Sequence, residues 1–377
     1  MIAVALSLVL VAVAPGRAAP RGVQARAVAP GNVSFEQVSR EAARARDENR
    51  DADAIRLYRQ ALELKPSWDE GLWYLSTLLY DKDRYSETRD LLRRFVSYDP
   101  EAGPGWALLG MSEFQTREYA RALEHLQHSR RLTLGDRKEM AQSVTYFTAV
   151  SLTRLEQYDD SMDVLLEMIN GGGCDLPVKE AAGLAALRMP LLPTEIPPDR
   201  REMIRTAGAA FCAVQMGQRE EAEKQFHALA ETFPKEPGVH YLYGTVLADV
   251  ETDGAVRELK REVEISPYHV LARLRLADIY LKQEQPEQAQ KFAEEAVNIE
   301  PNHASTHMVY GEVLAARRDL PNAIHELEKA RELAPQVVRT RFDLLRAYAA
   351  AGRTEDANRE KEAIEKLRQP ATAPKSM

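Results

Sequence analysis

A chain of 377 residues exceeds one ordinary globular core, and its 45 % apolar and 29 % charged residues exclude a disordered polymer. The net charge of −8, with no lysine–arginine cluster interleaved with aromatics, argues against nucleic acid as a partner, which needs a basic face. Runs alternating Val, Ile and Thr are scarce, so the chain reads as all-α.

The N-terminus opens on an uninterrupted apolar run, Ile2 to Ala14, followed by Pro15, Gly16 and small residues. It is shorter than the ~20 residues a bilayer span requires. It suits the apolar region of a secretory signal, cleaved after Ala14 or Ala19, although no Lys or Arg precedes it. Residues 1–19 are therefore expected to be a signal peptide, the mature protein periplasmic or secreted, with no membrane insertion after cleavage. Residues 20–34 lack periodicity and read as a flexible leader.

From Phe35 onward the pattern is helical and repeats. Pro66 and Pro100 lie 34 apart, as do Pro267, Pro301 and Pro335, while Pro234 precedes Pro267 by 33. A proline just past a helix ends it, because the ring removes an N–H and restricts the preceding residue. Small residues form two columns in register with the prolines. One holds Ala54, Thr88, Ala122, Ser161, Ala222, Ala255, Ala289, Ala323 and Ala357; the other runs from Ala42 and Ser76 through Gly110 and Gly244 to Gly311. Small side chains at facing positions let two antiparallel helices approach closely. Nine units begin near residues 35, 69, 103, 142, 203, 237, 270, 304 and 338.

Two interruptions break the register. About five residues near Arg137–Ala141 precede the fourth unit. A longer insert, 171–200, holds Gly171-Gly172-Gly173-Cys174, a short helix (178–188), and four prolines between 190 and 198. The expected layout is a first block of four repeats (35–170), the insert acting as a hinge, a second block of five (201–369) ending in a polar capping helix, and a disordered tail (370–377). The two cysteines, Cys174 and Cys212, admit either one disulfide or two separate thiols.

The sequence resembles the tetratricopeptide repeat, whose pattern is W-x₂-L-G-x₂-Y…A-x₃-F…P over 34 residues. Trp106, Leu109 and Gly110 match its first helix, and Tyr119, Ala122 and Leu126 its second; Tyr310, Gly311, Leu314, Ala323, Leu327, Ala330 and Pro335 repeat the match. The resemblance implies a right-handed α-solenoid of antiparallel helix pairs, a superhelix whose first helices line a concave groove. The groove positions it assigns in the first block are Trp73, Tyr80, Met111, Phe114 and Tyr146. In the second block they begin with Phe211 and Tyr241, then turn charged at Asp278, Lys282, Glu312 and Arg346. Members that grip a terminal carboxylate use Lys and Asn there; Trp73, Thr77, Ala107 and Met111 do not fit that mode. An aromatic groove suits a protein or peptide docked through apolar side chains, while aromatics at helical spacing also serve as packing between repeats.

Reaction motifs are missing: no H-E-x-x-H, no G-x-S-x-G, no phosphate loop. His125 with His128, and His303 with His307, share helical faces, but neither pair has a third ligand at fixed spacing. No metal, cofactor or catalysis is expected. The favoured reading is an exported scaffold of the cell envelope; the rivals are an enzyme using a thiol or metal in the 171–200 insert, and a cytosolic repeat adaptor.

Overall fold

Each repeat folds because its two helices meet on small side chains. In the computed structural model, which describes residues 34–368, a Cβ added to Gly311 would lie 2.6 Å from Leu327 Cγ and 3.1 Å from the Ala323 carbonyl. Gly110 meets Leu126 and the Ala122 carbonyl in the same way, at 2.7 and 3.1 Å. The two small-residue columns thus face each other within a hairpin. The expected signal peptide (1–19) and tail (370–377) lie outside the described residues, as does the leader except for Ser34, which caps the first helix by accepting from the Gln37 N–H.

The described chain forms nineteen α-helices, one short 3₁₀ turn and no strand. It divides into two units at Asp199/Arg200. Unit 1 stacks α1 (Phe35–Asp47) on α2 (Asp51–Leu64), then α3 (Asp69–Tyr80) on α4 (Tyr85–Tyr98). It continues with α5 (Gly103–Gln115) and α6 (Tyr119–Arg131), then α7 (Lys138–Arg154) and α8 (Tyr158–Asn170), and closes with α9 (Leu176–Ala186). One continuous apolar core runs from Val38 in α1 to Val144 in α7, which is the spine a lone hairpin cannot supply. The extra residues before the fourth hairpin lengthen α7 to 17 residues instead of forming a loop. The insert is ordered as well. Asp175 caps α9 by accepting from the Val178 N–H at 3.2 Å, and α9 packs on α7 and α8 as a first helix would, with Pro193–Glu195 following as the 3₁₀ turn.

Unit 2 holds five hairpins. They are α10 (Arg201–Gln215) with α11 (Arg219–Thr232), α12 (Val239–Leu247) with α13 (Thr252–Ile265), and α14 (Val270–Lys282) with α15 (Pro286–Ile299). The last two are α16 (Ala304–Ala316) with α17 (Leu320–Leu333), and α18 (Val338–Ala350) with α19 (Thr354–Arg368). Each unit is an α-solenoid of consecutive antiparallel pairs.

The turn inside a hairpin is a recurring motif. A residue in the left-handed region follows the first helix at Asn49, Asp83, Arg117, Glu156, Gly217, Glu284, Arg318 and Gly352. The next N–H then donates to the carbonyl five residues back, as Glu118 does to Glu113 and Asp319 to Leu314, satisfying carbonyls the helix end leaves open. The α12–α13 hairpin lacks the left-handed residue. Its Glu251 N–H donates only four back, to Leu247, which accounts for the 33-residue spacing between Pro234 and Pro267. A buried acid repairs the neighbouring end: Glu262 on α13 accepts from the Gly238 and Tyr241 N–H groups at the start of α12.

Four of the closing prolines are each also clasped from the next repeat. The residue six positions on donates to its carbonyl: Trp106 to Pro100 at 2.8 Å, His240 to Pro234 at 3.1 Å, His307 to Pro301 at 2.8 Å, and Arg341 to Pro335 at 2.9 Å. Proline cannot donate, but its carbonyl still accepts, so the helix stop doubles as a latch between neighbours.

Candidate functional site

The first helices of successive repeats touch one another, α5 with α7, α7 with α9, α14 with α16 and α16 with α18, while second helices approach less closely. Closer spacing on one side makes that side the inner wall of each unit. It is where a long partner can reach several repeats at once.

In unit 1 this wall is aromatic. Trp73 is half-buried against Phe95, ring centroids 5.7 Å apart. Tyr80 and Phe114 each close a hairpin by packing edge-on against the tyrosine that opens the next helix, Tyr85 at 5.1 Å and Tyr119 at 5.4 Å. Phe114 also meets Phe147 of the next repeat at 4.9 Å, and Phe147 meets Tyr146 at 5.8 Å. Burial pushes the hydroxyls of Tyr80 and Tyr146 up, reinforced by Asp81 and Asp83 beside the first and by Glu180 and Asp175 near the second. These groups stay neutral, so their outward contribution is apolar with a single donor. Met111 differs from the others: it has no exposed surface and sits in the core. In unit 2, Phe211 is half-buried on α10, and Tyr241 lies 4.7 Å from the His269 ring.

Further along unit 2 the wall opens into a cleft of about 760 Å³ between α16 and α18. Glu312 of α16 receives a two-pronged bond from Arg339, Nε to one oxygen at 3.0 Å and Nη2 to the other at 2.9 Å. Burial nevertheless raises the Glu312 carboxyl to about 8, helped by Asp343 and Asp278 beside it. Burial likewise raises Asp278, against the pull of Arg339, Arg275 and Lys282. Three carboxyls are thus crowded together, and of the cations around them Arg339 bonds Glu312 on both oxygens. Arg346 reaches Asp343 only at 3.7 Å and is largely exposed. Spacing on the first helices placed Asp278, Glu312 and Arg346 on this wall; it did not reveal Asp343 or Arg339, which repeat-position reasoning could have found on α18.

His125, His128 and His307 have structural partners. His125 bonds buried Glu113 at 2.6 Å and, with His128, flanks the Trp106 ring at 5.0 and 4.8 Å. His307 lies between Glu326 at 2.5 Å and the Pro301 carbonyl, both ring nitrogens engaged; His240 repeats this with Glu258 and Pro234. Sequence reasoning missed this clasp, although a side-chain N–H donor six residues after Pro100, Pro234, Pro301 and Pro335 was there to be read. Among the described residues, no three His, Cys, Asp or Glu side chains converge as a metal site needs. Neither Cys174 nor Cys212 is a free thiol. No described helix is long and apolar enough to cross a membrane.

These features define a helical-repeat protein whose closely spaced first helices form an inner wall in each unit. The tetratricopeptide repeat model matches residues 247–312, and the same helical hairpin recurs through both units. No curated protein matches it. Among solved structures, it is similar to MamA (residues 41 to the end) from Desulfovibrio magneticus RS-1, at 20 % identity and a TM-score of 0.42, over 46 % of this chain and 98 % of that one. YrrB, described as a TPR protein with an unusual peptide-binding site, is similar at 18 % identity and a TM-score of 0.38, over 44 % and 86 %. Yeast Tom70 is similar over 88 % of this chain and 84 % of its own, at 13 % identity and a TM-score of 0.38.

Proposed function

We propose that this protein is a non-catalytic, exported scaffold that binds a protein or peptide partner along its first helices and serves in assembling or organising the cell envelope. One observation carries the binding part: the first helices stand close together and present half-buried aromatics in unit 1 and an open cleft in unit 2. Half-buried aromatic rings lose little entropy on binding and gain apolar contact, the usual profile of an interface anchor. The absence of a free thiol weighs against the rival reading of a cysteine nucleophile in the insert, since that chemistry needs a thiolate. Export rests on the apolar run from Ile2 to Ala14 and the small residues after it.

Photo-crosslinking separates the inner wall from the outer one. A crosslinker at Thr77 or Lys282 on first helices should capture a discrete partner in cells, while one at Arg56 or Lys291, exposed on second helices, should not. Trp73→Ala with Tyr146→Ala should weaken that capture. Equal capture from both walls would refute the binding surface. N-terminal sequencing of the mature protein and cell fractionation test export; an intact Met1 on a cytosolic protein would end that part.

A further inference from the structure

The cleft in unit 2 holds an acceptor with no donor of its own. Asp343 is nine-tenths buried, and its Oδ2 accepts no hydrogen bond from any N–H or O–H, save a proton carried by Glu312. Its surroundings explain why. Arg339 spends its fork on Glu312, and Arg346 approaches the other oxygen of Asp343 from solvent. A buried acceptor left bare costs about 1–3 kcal/mol, so the native site either shares a proton between two carboxyls or takes a cation from outside.

The space beside this pair is already cleared. Ala315 and Ala316 on α16 and Ala347 and Ala350 on α18 stand where longer side chains would fill the gap between repeats. Leu281, Leu327 and Phe342 provide an apolar lining, and the volume is that of a site for a long side chain and its neighbours. An anionic group could meet Arg318, Arg339 or Arg346 on the same lining, but it would leave the Asp343 Oδ2 acceptor unsatisfied, which only a donor can fill. A divalent metal ion would want six or more oxygens, more than the two converging carboxyls offer. An ammonium or guanidinium brings several N–H donors on an aliphatic stem and matches both halves of the lining.

We infer that this cleft receives a lysine or arginine side chain of an extended partner peptide, its cationic end against Asp343 and Glu312 and its stem along Phe342 and Leu281. The inference rests on the partner-binding reading above and names the chemistry recognised at one point of it. Binding exchanges the proton on Glu312 for the ligand's charge. The charged groups facing Glu312 are Arg275, Asp278 and Lys282 from α14 and Arg339, Asp343 and Arg346 from α18, with Arg318 at the end of α16; α17 contributes Leu320 and Leu327.

End-blocked nonapeptides of alanine and leucine carrying lysine, arginine, norleucine or glutamate at the centre test this against the full chain by fluorescence anisotropy. Lysine and arginine peptides should bind about tenfold tighter than the norleucine peptide at pH 7, the worth of one charge-assisted pair. Asp343→Asn, nearly isosteric, should bring that ratio to about one. Calorimetry in buffers of different ionisation enthalpy should show up to about one proton released, and none in Glu312→Gln. Should Asp343→Asn fail to fold, Glu312→Gln and the methyl resonances of Ala315 and Ala347 in the unmutated chain, shifting with lysine peptide and not with norleucine, give the same decision. Equal binding of lysine and norleucine peptides would overturn the inference while leaving the inner-wall reading to its own crosslinking test. Tighter binding of the glutamate peptide would overturn it too, assigning the cleft to its arginines.

Discussion

The two units are built from the same hairpin and differ in what they put on its inner face. Backbone-level devices recur in both: the glycine against a facing alanine at Gly110 and Gly311, the left-handed turn at Arg117 and Arg318, the clasp on the preceding proline at Trp106 and His307. The inner-face chemistry does not recur. Unit 1 fills it with rings that pack on one another, so burial there mostly silences phenols. Unit 2 fills the end of it with carboxyls and arginines around a cleft, so burial leaves charge poorly matched. Positions that set how helices approach admit few residue types. Positions that point at a partner are free to diverge, and the divergence is where specificity is to be sought.

The comparison breaks first if the shared contact is not shared. Gly110→Leu in unit 1 and Gly311→Leu in unit 2 should each cost about 3 kcal/mol or slightly more, because both force a side chain into Leu126 or Leu327 and an adjacent carbonyl. Urea denaturation monitored by circular dichroism measures both. A mild effect at either position would mean that its hairpin can open without loss.

The clasps should come next. His307→Ala strips Glu326 and the Pro301 carbonyl of their donor in a buried site, at about 2 kcal/mol. Trp106→Phe keeps the ring and removes only the bond to Pro100, at about 1 kcal/mol. If the two substitutions cost the same, the histidine's second bond contributes nothing, and the latch is one bond in both units.

The carboxyl cluster gives unit 2 a pH dependence. Glu312 ionises near 4.5 when unfolded and near 8 when folded, so the native state holds its proton more tightly. Its contribution is then fully present below the unfolded value and is lost as pH rises through the interval from about 4.5 to about 8. Glu312→Gln should flatten that part of the stability curve and raise Tm above pH 8. A curve identical to that of the unmutated protein would mean the carboxyl is ionised at no cost.

Proline spacing, the two small-residue columns and the apolar stripe made the helix pairs legible from sequence, because those features repeat and period is what a sequence displays. The 33-residue spacing was visible, but its cause, a turn lacking the left-handed residue, required the backbone. The insert read as one short helix (178–188) in a glycine- and proline-rich hinge; the helix is present as α9, and what spacing did not reveal is that it packs on α7 and α8 through the buried face from Ala181 to Ala186. The charged wall of unit 2 was half visible. Asp278, Glu312 and Arg346 follow from first-helix position, whereas the bare oxygen on Asp343 and the fork of Arg339 depend on side-chain orientation, which spacing does not encode.

The smallest expected effect decides which aromatic-wall positions are wall and which are core. Met111 occupies a first-helix position like Trp73 and Phe114, yet has no exposed surface, so a partner lying on that face touches its neighbours and not the methionine. Met111→Leu conserves volume and should cost less than about 1 kcal/mol. Partner capture by the Thr77 crosslinker should be unchanged in this variant and reduced in Trp73→Ala. If Met111→Leu reduces capture as much as Trp73→Ala does, the helices must part on binding and expose the core. Capture unchanged by Trp73→Ala would instead make its ring, 5.7 Å from Phe95, packing alone.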